Sequence, residues 1–328
     1  MSDSCKPAMP LNGETPPAGV GPLFAILRAR YLEDAQLRIS SSSSVRSESN
    51  RKNQPKARME TYMIEDRISV EERGHVRIVR LSRPDKLNAL DLPMFRALMK
   101  VGEQLREDPS ARAVVLCGEG KAFCAGLDFA GFMSLGNDKD ADLLAEGSSP
   151  EVTRAQSAAH VFTTLPVPVI AAIHGYAFGG GLQIALGADV RIVHPEAQLS
   201  VMEIKWGLVP DMTGTQTLRH LVPQDVAKEL TFTGRRLSGE EAVRLGLATR
   251  TADDPLAAAI ELADEIATKS PDAIRAGKTL LSRAYTAEPA EGLRIEADIQ
   301  KTLIGKPNQL EAVRANMEKR PPEFADPE

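Results

Sequence analysis

The chain has 328 residues, 42% hydrophobic and 26% charged, which is enough apolar content for one large folded core or two average domains. Forty Lys+Arg against 45 Asp+Glu leave a net charge of −5, which argues against a dedicated nucleic-acid binder with its basic surplus. Three cysteines (Cys5, Cys117, Cys124) and five singly scattered histidines (His75, His160, His174, His194, His220) offer neither a disulfide framework nor a metal-ligand spacing. No run approaches the roughly 18–20 apolar residues of a membrane span, so the expected location is cytoplasmic.

Residues 1–58 carry nine basic and five acidic side chains, a charge of +4 that leaves −9 for the rest. With early Pro and Gly residues and the run Ser40–Ser44, this segment is expected to be a disordered extension. Its acidic residues count against a transit peptide, and Met59 or Met63 is an alternative start. A hairpin is expected next, from the alternation of Ile68-Ser-Val-Glu-Glu72, a turn at Arg73-Gly74-His75, and Val76-Arg-Ile-Val-Arg-Leu81. Asp91-Leu-Pro93 opens a helix running through Leu105, with Asp91 as N-cap. Ala113–Cys117, Val167–Ile173 and Ala188–Val193 are continuous apolar runs that read as buried strands. Residues 134–153, acidic and Gly/Ser-bearing, read as a mobile loop beside a site. Ser238-Gly-Glu-Glu241 resembles a capping box, helical patterns fill 255–318, and Glu318–Glu323 reads as a solvated tail. The division expected is an α/β core over 59–253 and a helical region over 254–328.

Two glycine-bearing segments leave apolar strands: Gly118-Glu-Gly-Lys-Ala-Phe-Cys-Ala-Gly-Leu-Asp128 and His174-Gly-Tyr-Ala-Phe-Gly-Gly-Gly181. Neither has the spacing of a nucleotide-binding loop. Three glycines at a helix start allow close approach to backbone N–H groups. A second N–H from the other loop would complete an oxyanion hole, whereas tight turns alone are the bland alternative.

Arg83-Pro-Asp-Lys-Leu-Asn-Ala-Leu90, Ala122–Asp128, Pro168–Gly175 with Gly179–Gly181, Ala188-Asp-Val-Arg191 and Glu203–Asp211 together resemble the enoyl-CoA hydratase/isomerase (crotonase) family over about residues 65–320. The resemblance implies a spiral core of ββα units, a helical C-terminal trimerisation region, homotrimers or dimers of trimers, and an acyl-CoA thioester substrate. Coenzyme A would enter as part of that substrate, with no separate cofactor, metal or nucleic-acid partner. By motif position the oxyanion donors are the N–H groups of Leu127 and Gly180, while Ala89 and Ala125, Gly126, Leu127 and Asp128 line the CoA channel.

The chain departs from the hydratase pattern at Gln183, where hydratases carry a glutamate two residues after the glycine triplet. Glu203 matches the second hydratase glutamate, and Asp211 is an additional carboxylate where many hydratases have glycine. That pair leans towards the dienoyl-CoA isomerase branch, with Glu203 or Asp211 as the base that moves a double bond. Hydration of 2-enoyl-CoA and catalytically silent acyl-CoA binding are the rival readings. Asp211 read blandly is an N-cap for a helix near Thr213, and Gln183 a hydrogen-bonding, steric or packing residue. Trp206 is expected in the core beside a solvated Lys205, with a Lys205–Trp206 cation–π contact as the alternative, His174 is expected as a satisfied core histidine, and Cys124 lacks a histidine partner for nucleophilic work.

Overall fold

The structure, a computed structural model, describes residues 60–134 and 142–327. The expectations for 1–58 lie outside the described residues. Strands β1 (Glu60–Ile64), β2 (Ile68–Arg73) and β3 (Val76–Leu81) form an antiparallel meander, and Ile68 pairs with Leu81 as the alternation requires. β1 is an addition that its exposed, weakly patterned sequence did not announce. β4 (Ala113–Gly118), β5 (Val169–Ile173), β7 (Val190–Val193) and β10 (Arg250–Thr251) then extend the sheet in parallel, in the order β1-β2-β3-β4-β5-β7-β10. A smaller sheet joins β6 (Tyr176–Phe178), β8 (Gln198–Ser200) and β9 (Leu237–Ser238).

The central strands are apolar without a break because both faces are covered. Alternate residues Val79, Val114, Leu116, Ala171 and Val193 face one core that includes Phe95, Leu98 and Phe162. The intervening residues Ile78, Val115, Ile170 and Ile192 face a second core closed by Ala259 and Ala263 of the Pro255–Ala267 helix. The Leu92–Glu107 helix starts as its sequence dictates: Asp91 accepts from Met94 N–H at 3.0 Å, and proline falls in the first turn.

Residues 142–153 form a loop with a bridge between Glu146 and Thr153, and Thr153 with Gln156 makes a full capping box for the Arg154–Thr164 helix. Residues 135–141 lie outside the described residues. At Ser238 only half of the expected box forms: its hydroxyl accepts from Glu241 N–H, while the Glu241 carboxylate pairs with Arg235. Four helices, Pro255–Ala267, Pro271–Ala284, Pro289–Leu303 and Pro307–Glu318, fill the C-terminal region, each begun by a proline whose missing N–H costs nothing there. The terminal run is not a free tail. Arg320 is bidentate on Glu311 (2.6 and 3.0 Å), and Asp326 and Phe324 O accept from the buried Arg112. Charge alone suggested solvation, which holds for the exposed Glu318, Lys319 and Glu323, whereas Arg320 and Asp326 are tied to Glu311 and Arg112.

Candidate active site

Two strand ends bring the glycine segments together. The stretch after β4 runs beside β6, with Cys124 N–H donating to Tyr176 O (2.9 Å) and Phe178 N–H to Cys124 O (3.0 Å). Gly126 consequently abuts the end of β6: a methyl group on it would lie 2.7 Å from Phe178 O and 3.8 Å from Gly180 N. Its φ of +88° is a conformation that side chains rarely adopt. Leu90 N–H donates to Gly126 O (2.8 Å) and Asp128 N–H to Leu90 O (2.9 Å). These bonds flank Leu127, whose own N–H has no partner among the described residues. Gly180 opens the Gly180–Leu186 helix, where the first N–H has no intrahelical acceptor. Both Leu127 and Gly180 line a cavity of ≈ 280 Å³.

The small sheet positions Glu203. β8 pairs with β6 so that Ser200 stands opposite Phe178, and Gly179 N–H donates to Ser200 O at 3.0 Å. Three residues later the chain tightens into the 3-10 turn Glu203–Trp206, which sets the Glu203 carboxylate against Gly179. A Cβ on Gly179 would stand 3.3 Å from Glu203 Oε1. Glu203 is only 8% exposed; Oε1 accepts from Gln183 Nε2 at 2.6 Å, and Oε2 has no partner among the described residues.

Burial raises the Glu203 carboxyl above its ordinary range, opposed by its own nearby backbone N–H and by the bond from Gln183, and helped by the charge of Asp211. Asp211 lines the same cavity, and burial lifts its carboxyl too. Phe95, Phe129, Leu143, Phe178, Leu208 and Met212 make the walls apolar.

Glu203, Asp211, Ala125, Gly126, Leu127 and Gly180 thus meet around one cavity. Gln183 is buried behind Glu203 and is not on the cavity wall. Ala89 and Asp128 also stand off it. Ala89 O accepts from Arg83, and Asp128 is held low in pKa by the Gly131 N–H and by an ion pair with Arg83 at 2.9 Å. Asp211 does not cap the following helix, which is Gly214–Leu221 with Thr213 at its N-cap.

Trp206 overturns the expectation of a core position. It is 50% exposed, stacks on Phe129 with centroids 4.1 Å apart, and carries Lys205 Nζ at 5.2 Å from its ring. Phe129, Phe178, Met202 and Arg236 were also missed as wall residues. Their segments are far apart in the chain, and the one local signal was Gly207, which ends the turn in a left-handed conformation after Trp206.

Cys124 is fully buried, its thiol donating to Asn88 O and pushed up to about 12, so it is inert as a nucleophile. His174 is satisfied by Gly120 O at 2.9 Å, although it is half-buried and not in the core. Among the described residues no cluster of three or more His, Cys, Asp or Glu side chains is placed to hold a metal ion, and no helix is long and apolar enough to cross a membrane.

Comparison with known proteins identifies the family. The family model described as enoyl-CoA hydratase/isomerase matches residues 71–327. The mitochondrial enoyl-CoA hydratase domain-containing protein 2 of Homo sapiens is 35% identical over 254 residues, 75% of this chain and 84% of that protein. Mouse mitochondrial methylglutaconyl-CoA hydratase is 31% identical over 264 residues, 78% of this chain and 81% of the relative. The crystal structure of an enoyl-CoA hydratase from Bacillus anthracis superposes with a TM-score of 0.74 at 32% identity, covering 80% of this chain and all of that one. A matching family model over most of the chain, relatives aligned along most of their length and the same fold place this protein, an enzyme, in the enoyl-CoA hydratase/isomerase (crotonase) family.

Proposed function

We propose that the protein isomerises unsaturated acyl-CoA thioesters, holding the thioester oxygen between the N–H groups of Leu127 and Gly180 while a carboxylate moves a proton along the acyl chain. The observation that carries this reading is Glu203: one oxygen is engaged by the neutral amide of Gln183 and the other is unpartnered, in a buried site bordering the cavity that Leu127 and Gly180 also line.

Two donors on the carbonyl oxygen stabilise the enolate that forms when a chain carbon loses its proton. A buried carboxylate with a raised pKa accepts that proton near neutral pH and returns it at another carbon. Asp211, on the same cavity, is the second proton-transfer group. An amide at 183 neither takes nor gives a proton, so the paired glutamates of water addition are one short.

Hydration is the second reading, favoured by the shared cavity of Glu203 and Asp211 and by relatives named as hydratases. A panel of 2-enoyl-, 3-enoyl- and 3,5-dienoyl-CoA separates the two. Double-bond migration in the 3-enoyl or dienoyl substrates is expected, and hydration of 2-enoyl-CoA without any migration would overturn the first reading. Glu203→Gln is expected to lose about 10²–10⁴-fold in kcat, the usual worth of a general base. Undiminished turnover in that variant would leave a thioester-binding protein without this base. Self-association as a trimer or dimer of trimers belongs to the same proposal.

A further inference from the structure

Gln183 has a geometry that packing alone does not require. It is 2% exposed, and its side-chain oxygen faces two backbone donors, Met212 N–H at 2.8 Å and Gly214 N–H at 2.9 Å. Backbone N–H groups donate only, so the end of the amide that meets them must be oxygen. The amide therefore has no free flip, and its NH2 must point at Glu203 Oε1, 2.6 Å away.

The two bonds bracket Thr213, a β-branched residue at φ +68°, which is a costly backbone conformation that needs support from its surroundings. Gly214 is needed there too, because a Cβ on it would lie 2.6 Å from Gln183 Oε1. One side chain thus ties the Gly180–Leu186 helix, the Glu203 turn and the Asp211–Gly214 turn together.

We propose that Gln183 is the positioning residue for proton transfer: locked in one orientation by the Met212 and Gly214 N–H groups, it occupies Glu203 Oε1 and leaves Oε2 as the sole proton-accepting atom. The inference rests on the reading of Glu203 as base and adds what selects its reactive oxygen and its charge state. A donor at Oε1 favours ionised Glu203. A carboxylate at 183 would accept the same two N–H bonds, remain charged, and set a like charge against Glu203. Asp211, Lys205 and Arg236 are the other charged groups lining the cavity with Glu203; of these Asp211 acts on its carboxyl, while Lys205 and Arg236 lie over the Trp206 and Phe178 rings.

The test compares wild type with Gln183→Glu, which keeps the shape, and with Gln183→Met, which keeps the volume and removes the donor. Carbon-13 NMR on protein labelled at glutamate carboxyls follows the titration of Glu203, assigned by the resonance that Glu203→Gln removes. The Glu203 midpoint is expected to move to higher pH in both variants. With 3-hexenoyl-CoA as probe, the acidic limb of the rate profile should move the same way. In that assay kcat at pH 7 should fall about 10–100-fold, the worth of a hydrogen bond to a charged group, with KM changed less than about twofold. A Glu203 midpoint that stays put in the folded variants, or falls, overturns the proposal whatever happens to turnover. Should Gln183→Glu not fold, the Glu203 midpoint in Gln183→Met decides alone. If Glu203→Gln turns over like wild type, the base reading fails, and the titration still decides whether Gln183 controls the carboxyl.

Discussion

At the scale of single residues, Glu203 trades stability against chemistry. Its folded pKa is raised, so the folded state binds that proton more tightly than the unfolded chain does. The stabilising contribution is complete below the ordinary carboxylate range and is lost as pH rises through the folded pKa. At neutral pH the buried charge is therefore a liability that a functional site tolerates. Glu203→Gln is expected to unfold at a higher temperature than wild type at pH 7–8, with the gap closing towards pH 4. Scanning calorimetry across that range checks it, and a variant less stable than wild type at pH 8 would contradict the sign. Gln183, by contrast, was visible in the sequence as a departure from a motif, yet its orientation depended on two N–H groups from a turn 29 and 31 residues further along.

Among the elements, the Leu92–Glu107 helix shows how a local signal acquires a tertiary load. Asp91 caps it, and the same carboxylate receives Arg67 through Nε and Nη2 and lies 3.5 Å from Arg83. Arg83 in turn binds Asp128 in the loop after Leu127. Asp91→Ala is expected to cost about 1–2 kcal/mol, a cap's usual worth with a partly exposed ion pair adding little. Asp91→Asn retains capping and should cost less, as urea denaturation would register. The hairpin and the capped helix were legible because each follows a periodicity of two or 3.6 with punctuation at its ends, and β4, β5 and β7 because they are unbroken apolar runs. β6, β8 and the Glu203 turn were not, because strands of three residues carry too few positions for a pattern and exist through pairing.

At the scale of the whole molecule, the C-terminal helices present apolar side chains that the described chain leaves uncovered: Leu281 is 58%, Leu293 65% and Tyr285 81% exposed. Helix Pro271–Ala284 is nonetheless anchored, with Lys278 Nζ bonding Asp189 at 2.7 Å and Val167 O at 3.0 Å beneath it. An anchored helix with a bare apolar face suits the self-association proposed above. Leu281→Arg combined with Leu293→Arg is expected to reduce the mass in light scattering to that of one chain of 35.5 kDa while leaving far-UV circular dichroism unchanged. Retention of the larger mass would assign those side chains to another role.

The sequence by itself determined the β2–β3 hairpin, the capped helix, the long parallel strands, the C-terminal helices, the glycine turns and the residue types at 183, 203 and 211, because local sterics and hydrophobic patterning are short-range. Only the tertiary structure decided that Gly126 abuts Phe178, that Glu203 keeps one oxygen free, that Trp206 stacks on Phe129 outside the core, and that the charged C-terminus is tied down. Each of those outcomes joins segments separated by tens of residues or turns on a side chain's one available partner, and sheet register and burial settle such matters after the chain has folded.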